Sequence, residues 1–285
     1  MGEDRLAADL RARLLSRSGL GLVPLWTTRR VNPSLSAELG RHDGDVLSVA
    51  VLPDGRVVSG GDDERVLVWD PARPGADPAE LGHDAGWPTA VTVLPDGRVV
   101  TGTEGQLVVI WDLARPGADP TELGRLDWMV TAMTTLPDGR IVTGSADGRV
   151  LVWDPTRPDA SADYRSRHDS WVWTAAALPD GRIVTGGEDG RLLIWDPARP
   201  SAGPKHLGHH EGVQASTALP NGRFATGSSS HLLVWDLTTQ TQITQLNCSV
   251  LSLATGPLNP GTTRLVVTHV RAGLSFWSVA SDLPN

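Results

Sequence analysis

Short hydrophobic runs separated by turn-forming residues make up most of this chain. Between residues 46 and 82, the apolar runs are interrupted by Pro-Asp-Gly, by Gly-Gly-Asp-Asp and by Pro-Ala-Arg-Pro-Gly. Runs of this length, bounded by glycine, proline and aspartate, are typical of β-strands joined by tight turns. Proline lies in the connections and outside the runs, as the ladder of a sheet requires. The segment therefore predicts four antiparallel strands, at residues 46–51, 56–59, 66–69 and 79–81.

This four-strand pattern recurs about every 42 residues. Each copy carries a Leu-Pro-Asp-Gly or Leu-Pro-Asn-Gly turn, and a Trp-Asp pair ends the third predicted strand. The turns begin at Leu52, Leu94, Leu136, Leu178 and Leu219, and the pairs begin at Trp69, Trp111, Trp153, Trp195 and Trp235. A repeated unit of this kind cannot bury its apolar face alone, so copies must stack on one another. Four antiparallel strands in a unit of this length are typical of a propeller blade.

The repeats resemble the WD-repeat β-propeller family over roughly residues 34–278. The resemblance implies an all-β fold of four-stranded antiparallel blades, each with a hydrogen-bonded tetrad of His, Ser or Thr, Asp and Trp. The complete tetrads are His42, Ser59, Asp63 and Trp69, and His168, Thr185, Asp189 and Trp195. We expect these tetrads to be structural rather than hydrolytic, because no Gly-x-Ser-x-Gly elbow accompanies them and the same trio recurs in separate blades.

The other blades depart from the tetrad. In the second, His83 is assigned to the His position and no Asp stands at the matching turn. In the third, Leu126 lies near the His position. In the fifth, His209 is assigned to the His position and Ser230 replaces the Asp. We expect these three blades to unfold locally more easily than the two blades with complete tetrads.

The number of blades depends on the two ends of the repeat region. A sixth unit after residue 249 supplies three predicted strands, at 250–254, 264–268 and 274–277. Residues 34–39 match the Ala-Glu-Leu-Gly edge strand of later units and are expected to supply the fourth, so six blades closed by an N-terminal strand are favoured. Seven blades are the alternative, because residues 22–26 look like a worn third strand.

The N-terminal segment has a helical pattern. Leu6, Leu10 and Leu14 follow each other at helical spacing with charges between them, which predicts a short N-terminal helix. We therefore expect residues 1–33 to form a helix and extension, and residues 34–285 to form the propeller.

The loops that lead into the first strands vary while the rest of the repeat is constant. They carry four tryptophans beyond those at the blade-closing positions. In WD-repeat propellers these loops line one rim of the central channel, so the resemblance implies an aromatic rim. The predicted partner-binding residues are Trp87, Trp128, Met129, Trp171, Trp173, Asp45 and Glu211. Exposed tryptophans are enriched at binding hot spots. The alternative is that each ring wedges between blades, a role that best suits Trp173, which lies inside a strand pattern.

Composition and charge narrow the possible partners. The net charge of −8 and the lack of a dense Lys/Arg run argue against nucleic acid. No apolar run is long enough for a spanning helix, and the charged start does not match a secretory signal, so no membrane partner is expected. The single Cys248 suits a reducing compartment, and we expect a cytoplasmic protein.

Other polar groups suggest no cofactor. His206, His209 and His210 lie close in sequence, but no Cys or carboxylate completes a metal-binding pattern, so neither a metal nor another cofactor is expected. An arginine follows each tight turn, and aspartates of neighbouring loops are expected to neutralise it. These arginines are Arg56, Arg98, Arg140, Arg182 and Arg223.

A constant scaffold with variable loops and no catalytic constellation favours a non-catalytic interaction scaffold that binds a protein or peptide on its rim. A carbohydrate-binding propeller is the alternative, since tryptophan rings stack on sugar faces. An enzyme is less favoured because the inward strands lack paired carboxylates. The closely similar repeats also resemble the sensor arrays of signal-transducing NTPases in high-GC bacteria, which implies a signalling NTPase as a partner. The chain itself contains no Gly-x4-Gly-Lys-Ser/Thr loop.

Overall fold

The computed structural model describes residues 22–27, 39–83, 86–115, 117–157, 162–250, 252–259, 262–269 and 273–280. Within these residues the regular structure is β-strand, apart from a single 3₁₀ turn at Pro200–Ala202. No helix in the described ranges is long and apolar enough to cross a membrane. The helix predicted around Leu6, Leu10 and Leu14 lies outside the described residues.

The first described strand is β1 (Leu22–Thr27). The strands that follow it in the chain form four sheets, and each of these sheets contains one repeat with its strands in chain order. The first sheet contains β2 (Val46–Val51), β3 (Val57–Gly61), β4 (Arg65–Trp69) and β5 (Ala79–His83). The second contains β6 (Pro88–Val93), β7 (Val99–Thr103), β8 (Leu107–Trp111) and β9 (Thr121–Arg125). The third contains β10 (Val130–Thr135), β11 (Ile141–Ser145), β12 (Arg149–Trp153) and β13 (Asp163–Arg167). The fourth contains β14 (Val172–Ala177), β15 (Ile183–Gly187), β16 (Arg191–Trp195) and β17 (Lys205–His209). Neighbouring strands in the first three sheets run antiparallel, as predicted.

Two further four-stranded sheets follow in the described part of the chain. The fifth contains β18 (Val213–Leu219), β19 (Arg223–Ser228), β20 (His231–Asp236) and β21 (Thr241–Asn247). The sixth contains β22 (Ser252–Asn259), β23 (Thr262–His269), β24 (Gly273–Ala280) and β1, in the order β22-β23-β24-β1. Its three C-terminal strands are each eight residues long and therefore exceed the predicted ranges.

The strand that completes the sixth sheet is not the predicted one. β1 pairs antiparallel with β24, and Leu22 lies opposite Val279. Leu39 is not in a strand, and the rest of the predicted strand 34–39 lies outside the described residues. The interpretation of residues 22–26 as the third strand of a seventh blade is also wrong, because this segment fills the fourth place of the sixth sheet. A bulge between Pro24 and Trp26 interrupts the ladder near the proline, where an edge strand tolerates it.

The tight turn between the first two strands of a repeat is stabilised by its own aspartate. In the first sheet, the backbone N–H of Leu52 donates to the carbonyl of Arg56 at 2.8 Å, and Gly55 has a φ of +88°, which favours glycine. The Asp54 carboxylate accepts hydrogen bonds from the Arg56 backbone N at 3.0 Å and from its Nε at 2.8 Å. These interactions lower the pKa of Asp54, the backbone hydrogen bond most. The arginine is thus paired within its own turn, and not mainly by a neighbouring loop as predicted.

The chain divides into two compact units. The larger holds Pro33–Asp189 and Ile194–Lys205, and the other holds Met1–Asn32, Gly190–Leu193 and His206–Asn285. In the larger unit the core lies between neighbouring sheets, and one cluster brings Leu81 of the first sheet together with Trp111 of the second. In the other unit the core contains buried aliphatic residues of the fifth sheet and the start of the sixth, namely Ala215, Leu219, Ala225, Leu232, Val234, Leu246, Val250 and Leu253.

Neighbouring sheets meet where a blade-closing tryptophan packs on a glycine of the preceding sheet. A Cβ atom at Gly82 of β5 would lie 2.7 Å from the Trp111 ring, and one at Gly124 of β9 would lie 2.5 Å from the Trp153 ring. The glycine of Ala-Glu-Leu-Gly or Thr-Glu-Leu-Gly and the tryptophan of the next Trp-Asp pair therefore form one contact. This contact explains why both residues recur with the same period.

Candidate functional site: tryptophan loops and histidine networks

The first predicted tetrad comes together as a hydrogen-bonded network. His42 Nδ1 lies 2.9 Å from Asp63 Oδ1, and His42 Nε2 lies 2.7 Å from the Ser59 hydroxyl. Trp69 Nε1 donates to the same hydroxyl at 2.6 Å. Burial raises the pKa of Asp63, but hydrogen bonds from His42 and from the backbone N–H groups of Arg65 and Asp43 outweigh this effect, so its pKa lies below the ordinary value.

The second predicted tetrad has the same arrangement in the fourth sheet. His168 Nδ1 lies 3.1 Å from Asp189 Oδ1, His168 Nε2 lies 2.9 Å from the Thr185 hydroxyl, and Trp195 Nε1 donates to that hydroxyl at 2.9 Å. Thr185 is 0% exposed, and Ser59 in the first network is 4% exposed. In both networks the hydroxyl is therefore buried between an indole donor and a histidine ring.

The second and third sheets lack parts of this network. Trp111 Nε1 still donates to the Thr101 hydroxyl at 2.9 Å. The prediction that His83 occupies the histidine position was wrong, because His83 is exposed at the end of β5 with its Nε2 2.9 Å from Glu80 Oε1. In the third sheet Leu126 is buried, and its backbone N–H donates to the carbonyl of Gln106 at 2.8 Å.

The fifth sheet contains a histidine network that the sequence reasoning assigned to the wrong residue. His209 is exposed, whereas His210 is 4% exposed, and His210 Nδ1 lies 2.8 Å from the Thr226 hydroxyl. Counting from the preceding glycine would have found it, since His42 follows Gly40 by two residues and His210 follows Gly208 by two. The Ser230 hydroxyl lies 2.8 Å from His231 Nδ1.

His210 is an unusual buried group. Its Nε2 is buried and has no hydrogen-bond partner among the described residues. Burial lowers the pKa of His210 from 6.5 to about 4, with smaller contributions from the nearby His231 and His209. The ring is therefore neutral at physiological pH, and it lacks the carboxylate that His42 and His168 have.

The thiol of Cys248 is largely buried. Cys248 packs against the core of its unit, and burial raises the pKa of its thiol to about 11. Within the described ranges no group of three or more His, Cys, Asp or Glu side chains is arranged to hold a metal ion.

The loops with the extra tryptophans lie at one end of four adjacent strands of the larger unit. β2, β6, β10 and β14 pack side by side. Their starts are joined by hydroxyl groups, since Thr89 Oγ1 donates to the carbonyl of Val130 at 2.6 Å and Thr131 Oγ1 donates to that of Val172 at 2.5 Å. The strands therefore run in the same direction, and the segments before them share one end. We call these segments, residues 43–45, 86–87, 127–129 and 169–171, the tryptophan loops.

The tryptophans of these loops are exposed. Trp87 is 43% exposed, Trp128 57% and Trp171 37%. Met129 is half-buried and Asp45 is exposed in the same unit, whereas the exposed Glu211 belongs to the other unit. The structure therefore brings six of the seven predicted partner-binding residues into or directly beside the tryptophan loops.

A backbone hydrogen bond fixes each tryptophan loop to the turn between the second and third strands of its sheet. The Asp62 N–H donates to the Asp45 carbonyl at 3.0 Å, and the Glu104 N–H donates to the Trp87 carbonyl at 3.0 Å. The Ala146 N–H donates to the Met129 carbonyl at 3.1 Å, and the Glu188 N–H donates to the Trp171 carbonyl at 2.8 Å. The turn residue is acidic in three of these four pairs. The loops are consequently held in equivalent positions, with a carboxylate residue opposite both Trp87 and Trp171.

Trp173 lies at a β-bulge. The register of β14 shifts between Val172 and Thr174, which leaves Trp173 as the extra residue. The equivalent bulges in β6 and β10 hold Thr89 and Thr131, whose hydroxyls are the donors described above. Bulges re-aim side chains. Trp173 is 38% exposed, and its ring centroid lies 5.2 Å from that of Trp171 at an interplanar angle of 39°.

Sequence and structure comparisons relate the chain to known proteins. The family model WD40, described as WD domain, G-beta repeat, matches residues 33–70, 122–154 and 164–196. The fold is similar to the solved structure of U3-55K, with a TM-score of 0.66 at 16% identity, over 83% of this chain and 82% of that chain. It is also similar to the computationally designed Ika8 protein, with a TM-score of 0.63 at 22% identity, over 83% of this chain and 71% of that chain. No curated protein matches the sequence. Three segments of the chain thus match the WD40 repeat model, and the fold is similar to that of both solved structures.

Proposed function

We propose that this chain is a non-catalytic interaction propeller that binds a protein or peptide through the tryptophan loops. The observation that carries the proposal is the exposure of Trp87, Trp128 and Trp171 on three consecutive loops, two of them with the carbonyl of the tryptophan itself held by a turn. Six blades, with β1 completing the last, are part of the proposal and agree with the six sheets of the described residues.

Rigid, exposed aromatic rings favour recognition of a partner. Tryptophan supplies a large apolar area and loses little conformational entropy when it is held in place, because it has only two side-chain torsions. An exposed ring gains most when a partner removes it from water. WD40 propellers generally mediate protein interactions, which agrees with a protein or peptide as the partner.

The absence of catalysis is proposed on the chemistry of the networks. The hydroxyls of Ser59 and Thr185 are buried and hydrogen-bonded by indoles, so they are poor nucleophiles. We further propose a cytoplasmic protein, since Cys248 is a free thiol. The resemblance to bacterial sensor arrays suggests a signalling NTPase of the same pathway as one partner.

Affinity capture tests this proposal. Purified wild-type chain and a Trp87→Ala/Trp128→Ala/Trp171→Ala variant are used to capture partners from native lysate with crosslinking. Thermal unfolding confirms that both are folded. The variant should lose the proteins that the wild type retains. Ile243→Ala is a matched control, because Ile243 is an exposed apolar residue on β21, away from the loops in sequence, and should retain them.

Two results would count against the proposal. Equal capture by the wild type and the triple variant would remove the tryptophan loops as the binding surface. A carbohydrate ligand would use the same exposed rings, so a glycan array is the companion experiment. Specific glycan binding that the triple variant loses would replace the protein partner with a sugar.

A further inference from the structure

We propose that the tryptophan loops recognise a positively charged segment, with arginine or lysine side chains placed over the exposed indoles and beside carboxylates. The inference rests on the proposed function and names the chemistry of its partner. It depends on the pairing of aromatic and acidic residues in these loops.

The fourth sheet shows the arrangement most completely. The tilted rings of Trp171 and Trp173 are partly exposed at a centroid distance of 5.2 Å. The Glu188 backbone N–H donates to the carbonyl of Trp171 at 2.8 Å, and the Glu188 carboxylate accepts a hydrogen bond from the Ser170 hydroxyl at 2.6 Å. The carboxylate is thereby held beside the loop that carries Trp171. Two indoles and a fixed negative charge occupy one end of the sheet.

The second and third sheets combine the same groups. In the second, the backbone N–H of Glu104 donates to the carbonyl of Trp87 at 3.0 Å, so the backbone holds these two exposed residues next to each other. In the third, the exposed Trp128 directly follows Asp127, whose carboxylate pairs with Arg149. A carboxylate residue therefore accompanies an exposed tryptophan in three consecutive sheets.

The first sheet adds further acidic groups but no tryptophan. Its loop holds the exposed Asp43 and Asp45, and the Asp45 backbone N–H donates to the Asp62 carboxylate at 2.7 Å. Asp43 Oδ2 lies 3.5 Å from Arg65 Nη1. The acidic character of this end of the four sheets thus extends beyond the tryptophans.

Carboxylates beside indoles favour a cation. The face of an indole ring is negative, so it attracts an ammonium or guanidinium group, and a neighbouring carboxylate adds charge and hydrogen bonding. Among the described residues no Arg, Lys or His side chain forms an ion pair with Glu104 or Glu188. An anionic or phosphorylated partner would face these carboxylates, and the net charge of −8 would also repel it.

Fluorescence anisotropy with a defined peptide tests the inference. The probe is a fluorescein-labelled peptide of four Gly-Arg-Gly-Ser units, and its matched competitor replaces each arginine with glutamine. The arginine peptide should bind at least about tenfold more tightly than the glutamine peptide. Glu104→Gln/Glu188→Gln should weaken binding by a similar factor. Asp119→Asn/Glu122→Gln removes the same charge from exposed residues at the start of β9 and should change the affinity less than about twofold.

A second variant separates cation binding from apolar contact. Trp171→Leu keeps an apolar side chain but removes the aromatic face, so it should weaken the arginine peptide about fivefold and leave any binding of the glutamine peptide unchanged. Equal binding of the two peptides overturns the inference, as does an equal loss with both double carboxylate variants. Failure of the arginine peptide to bind at all also overturns it.

The result can be distinguished from failure of the proposed function. If the proteins captured by the wild type are lost with the triple tryptophan variant but retained with Glu104→Gln/Glu188→Gln, the loops bind a partner that is not recognised by charge. If the triple tryptophan variant retains them as well, both the binding surface and the charge inference are wrong.

Discussion

His210→Leu should make the protein more resistant to acid while hardly changing its stability at neutral pH. His210 is 4% exposed, its Nε2 has no hydrogen-bond partner among the described residues, and its pKa is lowered to about 4. Leucine fits this structural position, because Leu126 occupies the equivalent position in the third sheet. The Leu126 backbone N–H donates to the carbonyl of Gln106, just as the His210 backbone N–H donates to the carbonyl of Gly190. The substitution therefore exchanges one side chain that the repeat accepts for another.

The effect at neutral pH combines two small opposing changes. The variant loses the contact between His210 Nδ1 and the Thr226 hydroxyl, which contributes about 1 kcal/mol. It also removes an unpaired buried nitrogen, whose burial costs about 1 to 3 kcal/mol. Trp235 continues to donate to Thr226. We expect the free energy of unfolding at pH 7.5 to change by less than about 1 kcal/mol.

The acid effect follows from the difference between the two pKa values. The unfolded chain binds a proton on His210 near pH 6.5, whereas the folded chain binds it only near pH 4. Stability from this group is therefore complete above pH 6.5, is lost as the pH falls from 6.5 to about 4, and changes no further below that. Between pH 7.5 and 4.5 the wild type should lose about 2.5 kcal/mol through this residue, and the leucine variant should lose none of it.

Urea unfolding followed by tryptophan fluorescence at pH 7.5, 6.0 and 4.5 measures this difference. Titrating carboxylates change the free energy of unfolding of both proteins equally. The difference in this free energy between the wild type and His210→Leu therefore reports on His210 alone. Ile243→Ala is the control, because it removes an exposed side chain without a titratable group, so its difference from the wild type should not change with pH. A gap between His210→Leu and the wild type that stays constant with pH would refute a buried neutral histidine at this position.

Three further results are expected. Trp69→Ala should lower the free energy of unfolding by about 3 to 5 kcal/mol, because the ring is buried in its network, and a loss below about 1 kcal/mol in denaturant unfolding would contradict that packing. Gly124→Ala should cost about 1 to 3 kcal/mol in the same assay, since its methyl group would lie 2.5 Å from the Trp153 ring; an unchanged midpoint would argue against the close contact. Cys248 should react with a thiol reagent at pH 8 far more slowly than a free peptide thiol, because burial raises its pKa to about 11, and rapid labelling of the folded protein would disprove this.

The strand pattern of the repeats could be predicted from the sequence because each unit is locally complete. The tight turn, the apolar runs and the Trp-Asp pair all lie within one repeat and make their hydrogen bonds there. The strand that completes the sixth sheet could not be predicted in the same way. Residues 34–39 and 22–27 both have a pattern suited to an edge strand, and the choice depends on pairing with β24, which is distant in sequence.

The candidate site shows the same limit. Exposure of Trp87, Trp128 and Trp171 agrees with their place in variable loops. His83 and His209 do not occupy the network position, which in the fifth sheet falls on His210, two residues after Gly208. The bulge that leaves Trp173 out of the ladder could not be predicted, because a bulge is a property of two paired strands.

The backbone attachment of the tryptophan loops has a consequence for the sequence of the proposed binding surface. Each loop is held through its carbonyl, and the residues that supply that carbonyl are as different as Asp45, Trp87, Met129 and Trp171. Since the backbone supplies this bond, different side chains at these positions leave the attachment in place. Selection, or a combinatorial library over these positions, can therefore vary the exposed side chains while this bond is kept.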